Sequence, residues 1–467
     1  MSPSILYRAV PVKTATLRFL KHVARRSTVH IGIDIGKNKL YAVIRWTAPR
    51  AKHAIYEQPW FVENPNELAE LTKKLQKIAK QNPTIIGIES TGSYGDPLRQ
   101  ALADAGLTVY QVRTKVTSDY AEVFDGVPSQ HDGKDASIIA ELLAQGKAKE
   151  WNFREPTEEE NEMKYIVAKL KDSHKDLTRL RGKLEGLLAR HWPEITKILP
   201  LTSLTLLKLL KKYGGPQKIR IDREAVAAIR RFSYGRIDGE RADRIIDCVR
   251  STNGVRQMTW DCRYVMDVAA RMLDLHKETS RCKKRLAELI GMSCVELQRL
   301  SKLLGGATAA VVWCNIGSPH FYHCADAWLK AMGLNLVEKS SGEYQSNVCI
   351  SKRGDSETRR WLYLSALRWV QGSPVKQWYQ RKKEQTGTKI RGQENKRTSG
   401  KAVIAVMRKM MKGIWHALVH GHAFEMEKLF CEGSSKKEDA RPGSKRFRKH
   451  RKNKRAARTS TSNVTSR

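Results

Sequence analysis

The apolar positions of this chain follow two rhythms. Between residues 28 and 112 they come as short runs closed by turn residues, the pattern of strands. From about residue 160 they recur at spacings of three and four, the pattern of helices. Residues 28–46 read as two strands joined by a tight Gly36-Lys37-Asn38 turn, with a third strand around Ala54–Val62. Asn64-Pro65-Asn66-Glu67 starts a helix that carries Leu68, Leu71 and Leu75 on one side. Thr84–Glu89 reads as a short buried strand, Asp96–Ala105 as a helix stopped by Gly106, and Thr108–Val112 as another strand, with helices from about Lys115.

Three strands in sequence, then helices alternating with strands, is the order of an α/β ribonuclease H-like fold, a mixed sheet with helices on its faces. Beyond it the pattern is helical. In residues 160–190, Met163, Leu170, Leu177 and Leu184 form one heptad row and Ile166, Ser173, Leu180 and Leu187 the other. A second seam over 265–289 sets Val265, Met272, Thr279 and Leu286 beside Val268, Leu275, Cys282 and Leu289. The two seams fit either an antiparallel hairpin or a dimer contact.

The expected organisation is a basic N-terminal arm over 1–27, a first domain over 28–155, and a coiled-coil region over 156–300 with a helical insert near 200–260. A mainly helical C-terminal domain over 301–430 and a basic, disordered tail over 431–467 complete it. Within the C-terminal domain, 333–355 is Gly/Ser-rich and reads as non-helical.

Charge changes the picture most. Against 48 Asp+Glu stand 86 Lys+Arg, a net charge of +38. A polyanion is the natural partner, because phosphate neutralisation releases counterions. No apolar stretch approaches the roughly 18–20 residues of a membrane-crossing helix, and no secretory signal is evident. The eight cysteines contain no C-x-x-C pair, which argues against a structural zinc site and for thiols in a reducing cytoplasm. The tryptophans Trp151, Trp313, Trp328, Trp361 and Trp369 are candidates for base stacking, but at these spacings they read as core.

Four acids stand where folding alone does not call for them. Asp34 interrupts the run Val29–Gly36, Glu89 ends the run Thr84–Glu89, and Asp132 and Asp135 lie three apart on one helix face. Carboxylates are the hard oxygen ligands that Mg²⁺ prefers. Two such ions about 4 Å apart can clamp the attacking and leaving oxygens of a phosphoryl transfer. Gly32, Gly36, Gly87 and Gly92 are expected to leave room for a substrate backbone. The plain reading has Asp34 opening a turn, Glu89 capping a helix and the aspartate pair in solvent; four acids in this order favour the metal. Asp96, Asp104, Asp119 and Asp125 are read as surface or capping acids, and His131 as either a tuning neighbour or a solvent-facing one.

In the second domain, Ser340-Ser341-Gly342 lies ahead of Ser351-Lys352-Arg353-Gly354-Asp355 and Arg359-Arg360. A serine before glycine can be exposed enough to attack, and Lys352, Arg353, Arg359 and Arg360 can hold a phosphate. Ser-Ser-Gly is also ordinary loop material, so these residues alone leave the serine's role open.

Ile31-Gly32-Ile33-Asp34, Ile88-Glu89-Ser90-Thr91-Gly92-Ser93-Tyr94 and Asp132-Gly133-Lys134-Asp135-Ala136 resemble the three N-terminal motifs of DEDD transposases of the insertion sequence 110 family, the bridge recombinases. Phe321–Leu334, Ser340-Ser341-Gly342 and Ser351–Gly354 with Arg359-Arg360 resemble that family's downstream block. The likeness runs over roughly 29–425. The chain departs from the family pattern in having Asn335-Leu336 after Gly333-Leu334, and Leu303-Leu304-Gly305-Gly306 where Pro-Gly-Ile-Gly is usual.

The resemblance implies a RuvC-like N-terminal domain, a coiled-coil linker and a C-terminal transposase domain. It implies Mg²⁺, or Mn²⁺, on Asp34, Glu89, Asp132 and Asp135. It implies Ser341 as the nucleophile, with Ser340 the second choice, forming a 5′-phosphoserine; in the family the acids of one subunit and the serine of another can share a composite site. The expected partners are donor and target DNA, a structured non-coding guide (bridge) RNA, and further copies of the chain, a dimer assembling to a tetramer, in a nucleoid-associated cytoplasmic setting. The alternatives are a junction-resolvase-like metal nuclease without a covalent intermediate, and a non-catalytic nucleic-acid-binding protein on the same fold.

Overall fold

The computed structural model describes residues 8–48, 51, 53–89, 92–127, 131–151, 156–338, 340–341, 344–345, 348–386 and 396–430. The chain divides into two compact units, Met1–Glu155 and Pro156–Arg467.

Unit 1 is built on one mixed sheet: β1 Val10–Pro11, β2 Val29–Ile35, β3 Lys39–Thr47, β4 Ala54–Tyr56, β5 Trp60–Glu63, β6 Thr84–Glu89, β7 Val109–Val112 and β8 Lys149–Glu150. Its helices are α1 Leu68–Gln81, α2 Asp96–Asp104, α3 Thr114–Asp125 and α4 Asp132–Ala144. The strand order is β1-β5-β3-β2-β6-β7-β8, with β4 paired to β3. β2 and β5 run antiparallel to β3, while β6 runs parallel to both β2 and β7. Three antiparallel strands flanked by two parallel ones, in the order β5-β3-β2-β6-β7, make the unit ribonuclease H-like.

Strand alternation assigns the two faces. Ile31, Ile33, Ile35, Ile86 and Ile88 share a buried core with Leu71, Leu75 and Ile78 of α1 and Leu98 and Leu102 of α2. The opposite face carries Gly32, Asp34, Gly87 and Glu89, and α4 packs against β2, β3 and β6 there. Gly32 and Gly87 are register partners on adjacent strands. A Cβ on Gly32 would stand 2.0 Å from the carbonyl oxygen of Ala136, and one on Gly87 would stand 2.6 Å from Cδ1 of Leu143. These two glycines therefore make room for α4, not for substrate. Gly36 serves the β2–β3 turn, its N–H bonded to the carbonyl of Lys39 at 2.9 Å. Gly92 alone of the four sits in open space, at φ +49°.

The stretch expected as an arm is, from residue 8 onward, part of the fold. β1 pairs with β5, and Val12, Phe19 and Val23 are buried in the sheet's core. Its apolar residues are too widely spaced among basic ones to show a strand or helix rhythm. The expected third strand, Ala54–Val62, is two strands, β4 and β5.

Unit 2 begins with α5 Glu158–His191, opened by a Thr157/Glu160 capping box. There follow α6 Ile195–Ile198, α7 Leu204–Tyr213, α8 Pro216–Ile221, α9 Ala225–Ser233, α10 Gly239–Arg250, and the second long helix, α11 Thr259–Met292. Ion pairs Arg285–Glu162 and Lys169–Glu278, at 2.7 Å each, show α5 and α11 running antiparallel. The expected heptad rows meet between these two helices: Met163, Leu170, Leu184, Val265, Met272 and Leu286 are all buried. The pair is not a bare stalk. One half shares a core with α6 to α10, and the other half shares one with the C-terminal helices.

The C-terminal part holds α12 Val295–Leu304, α13 Gly306–Ile316, α14 Ala325–Ala331, β9 Leu336–Val337, β10 Ser340–Ser341, β11 Tyr344–Gln345, β12 Cys349–Ile350, α15 Ser356–Trp369, α16 Val375–Thr386, α17 Lys396–Val419 and α18 Met426–Phe430. The strands pair as two short ladders, β9 with β12 and β10 with β11. Trp328 and Trp361 are core residues, and Trp313 and Trp369 pack against that core. Trp151 lies beneath the guanidinium of Arg99. The tail expected over 431–467 lies outside the described residues.

Gly32→Ala tests the role given to the paired glycines. The methyl must push α4 off the sheet, so urea unfolding should show a loss of about 3 kcal/mol or more. A variant as stable as the parent would show that α4 does not need this contact.

Candidate active site

α4 decides the site, because its first turn overhangs the ends of β2 and β6. Asp34 rises from β2, and Glu89 from the adjacent strand on the same face. Asp132 and Asp135 sit in the first turn of α4, where acids are also favoured by the helix dipole. The four expected acids share one electrostatic neighbourhood. Burial, and then the charges of Asp135, Glu89 and Asp132, push the carboxyl of Asp34 up to about 7. Asp135 is raised too, by burial and then by Glu89 and Asp132, with Lys134 and His131 opposing.

Several residues that the sequence did not flag hold this arrangement. Tyr41 is the register partner of Asp34 on β3, and burial, then its acidic neighbours Asp132 and Asp34, hold its phenol above the ordinary range. Glu89 is only 8% exposed. The hydroxyl of Thr117 stands 3.1 Å from its Oε2 and 2.8 Å from the carbonyl of Thr114, and its single proton serves either acceptor. Lys134 is fully buried, and its ammonium donates to Asp125 at 2.6 Å and to the carbonyl of Val127 at 2.5 Å. Asp125 is thus the partner of a buried cation, where a surface or capping acid was expected. His131 caps α4, its Nδ1 accepting from the N–H of Gly133 at 3.1 Å.

Among the described residues, no three His, Cys, Asp or Glu side chains close on one point tightly enough to hold a metal ion as they stand. The donor set itself fits a hard divalent cation. It is four carboxylates, two of them raised by burial and by their neighbours' charge, a cost that a cation between them would relieve.

A family model for DEDD transposases of IS110, described as transposase, matches residues 31–193. A second, the transposase IS116/IS110/IS902 family, matches residues 302–380. The chain belongs to the IS110 family of transposases. One curated relative, the "Insertion element IS110 uncharacterized 43.6 kDa protein" of Streptomyces coelicolor (strain ATCC BAA-471 / A3(2) / M145), is 24% identical over 363 residues, 75% of this chain and 86% of the relative. Two solved structures of Thermus thermophilus RuvC, one in complex with a Holliday junction substrate, match at 16% identity and TM-score 0.20. They cover 26% and 27% of this chain and 99% of each RuvC chain. The ribonuclease H-like assignment rests on strand order and pairing, not on that likeness. Family membership makes the chain a DNA-acting enzyme and gives its basic charge a partner.

The second matched region contains the other expected site residues. Ser341 lies on β10, paired with Tyr344 of β11; the side chains of 340–347 lie outside the described residues. Ser351 hydrogen-bonds Asn335, which ties the loop after β12 to the residue before β9. Lys352, at φ +55°, and Arg353 are exposed on that loop. Arg359 binds backbone instead, its Nη1 donating to the carbonyls of Met332, Gly354 and Asp355 at 3.1, 2.8 and 3.2 Å. Arg360 pairs with Glu357 at 2.8 Å. Of the four expected phosphate ligands, Arg359 is a clamp on the loop and Arg360 has an acid partner. Asp355 caps α15, accepting from the N–H of Thr358 at 2.5 Å. No helix among the described residues is long and apolar enough to cross a membrane.

Asp34 sets a pH test on protein kept in chelator. Its carboxyl titrates near 7 when folded, against an ordinary 3.8. The folded state therefore holds a proton that the unfolded state has lost, and stability falls as pH rises from about 4 to about 7. Asp34→Asn removes this cost. At pH 8 the variant should be more stable by about 1–2 kcal/mol, after allowance for screening, and at pH 4 the two should match. A variant no more stable at pH 8 would mean that the four carboxylates do not strain one another.

Proposed function

We propose that this transposase cleaves and rejoins DNA strands with a serine nucleophile, Ser341, and a divalent-metal site on Asp34, Glu89, Asp132 and Asp135. The observation that carries the reading is the electrostatic coupling of Asp34 to Glu89 and to Asp132 and Asp135 in the first turn of α4, within the region matched by the DEDD family model. Mg²⁺, or Mn²⁺ in its place, would be held by these acids and would supply charge neutralisation at the reacting phosphate.

The chain's own residues do the rest. The hydroxyl oxygen of Ser341 attacks phosphorus and forms a 5′-phosphoserine bond. The bond to the 3′-oxygen breaks, and that oxygen leaves as a 3′-hydroxyl, with the proton that the serine gave up balancing it. Exposed Lys352 and Arg353 hold the strand by its phosphates. The reverse attack, by the 3′-hydroxyl of another strand, reseals the DNA. Family resemblance supports a structured guide RNA that selects donor and target by base pairing, leaving the protein to read backbone and shape. The net charge of +38 suits both polyanions. Family resemblance also supports a dimer assembling to a tetramer, since two DNA duplexes must be cut and exchanged together.

The test is an adduct trap. Protein with RNA transcribed from its flanking element is mixed with end-labelled donor and target DNA and Mg²⁺, then denatured. The expected result is labelled protein, lost in Ser341→Ala and lost separately in Asp34→Ala. Free cut DNA without adduct, insensitive to Ser341→Ala, would make the protein a metal nuclease of the junction-resolvase kind.

A further inference from the structure

We propose that the turn Tyr234-Gly235-Arg236, between α9 and α10, docks an unpaired DNA strand, with a base stacked on the ring of Tyr234 and phosphates held by the cations around it. The choice of DNA rests on the reading of this chain as an enzyme that cuts and exchanges DNA strands; the four acids and Ser341 play no part in the binding.

The turn belongs to the helical group α6 to α10, which lies between the two family-matched regions. Tyr234 closes α9 at φ +53° and ψ +40°, its N–H bonded to the carbonyl of Arg231 at 3.3 Å. That is left-handed backbone, which favours glycine and strains a residue with a Cβ. Gly235 follows at φ +73°. The strain brings no burial, since Tyr234 is 77% exposed. A bulky ring kept in water by a strained backbone points to work done at that position. The ammonium of Lys208, on α7, lies 4.1 Å from the ring centroid and donates to the carbonyl of Phe232 at 3.5 Å. One side of the ring is thus steadied by a cation, and the rest faces solvent.

The charge around the ring is unpaired. Arg230, Arg231, Arg236 and Lys211 are exposed, and none has a carboxylate partner among the described residues. Asp238, two residues beyond Arg236, caps α10 by accepting from the N–H of Arg241 at 2.8 Å. An exposed ring among free cations is how proteins hold single strands: bases stack on the ring and phosphates meet the cations. In a duplex the bases already stack on one another, so the ring finds no partner there. A strand passing from one duplex to another is unpaired while in transit.

The test titrates the full-length protein in chelator, so that nothing is cut, with labelled oligo(dT), a blunt DNA duplex and oligo(U) across a range of salt. Tyr234→Ala is expected to weaken oligo(dT) binding about tenfold, with duplex binding and salt dependence unchanged. Tyr234→Phe should bind like the parent. Arg231→Ala combined with Arg236→Ala should weaken binding and flatten its salt dependence. Tyr234→Gly should bind as weakly as the alanine variant yet unfold no earlier than the parent, because glycine relieves the turn. An oligo(dT) carrying iododeoxyuridine should crosslink to the peptide that holds Tyr234. Oligo(dT) binding insensitive to Tyr234→Ala, an equal loss on the duplex, or a Tyr234→Gly protein that unfolds early would overturn the proposal. A loss confined to oligo(U) would give the turn to RNA and overturn the DNA assignment. Because no strand is cut, failure of the Ser341 adduct trap would leave these binding results standing.

Discussion

Where Gly32 and Gly87 sit side by side, the sheet has no Cβ atoms, and a helix can lie directly on its backbone. The arrangement of the four acids in unit 1 follows from that contact. α4 lies close enough that Asp132 and Asp135 come over Asp34 and Glu89, two residues beyond the glycines on the same face. Buried Lys134 then anchors the start of α4 to the end of α3 through Asp125. A buried ammonium left without that partner would be costly, which makes the pair a strong constraint on where α4 begins. The result is an arrangement that gives up stability for function: carboxylates gathered in a half-buried place raise each other's proton affinity. A divalent cation held between them, as proposed, would turn that cost into affinity.

Unit 2 solves a different problem. Its two long helices pair through the heptad rows, and each half of the pair serves as one wall of a separate core. The exposed ion pairs along it, Arg285–Glu162 and Lys169–Glu278, contribute little individually. Burial of Met163, Leu170, Leu184 and Leu286 is what holds the helices in register. The C-terminal core takes up Ile350 of β12, which leads into the loop of Lys352 and Arg353. Arg359 fastens that loop through three carbonyls.

Much of this was legible in the sequence, and the reasons differ. The strands of unit 1 announce themselves as isoleucine-rich runs, and the acids stand out because they break those runs. The heptads are readable because their rows persist over four repeats. The role of Gly32 and Gly87 was not readable, since glycine spacing does not say what approaches the gap; a helix filled it where substrate was expected. Lys134 looked like any lysine beside two aspartates, because nothing local shows that its chain turns inward to Asp125. Tyr41 was missed for a related reason: its meaning depends on strand register, which pairs it with Asp34. Arg359 belongs to an Arg-Arg pair that reads as a phosphate clamp, yet one of the two is taken up by backbone carbonyls.

Whether the four carboxylates act together on one divalent-metal site for DNA strand cleavage is decided by the cleavage rate itself. Metal-dependent cleavage is measured for the parent and four isosteric variants, Asp34→Asn, Glu89→Gln, Asp132→Asn and Asp135→Asn, each shown to be folded. Every one of the four should lose at least about 100-fold in rate. Cleavage at the parental rate by any two of them would contradict a shared site.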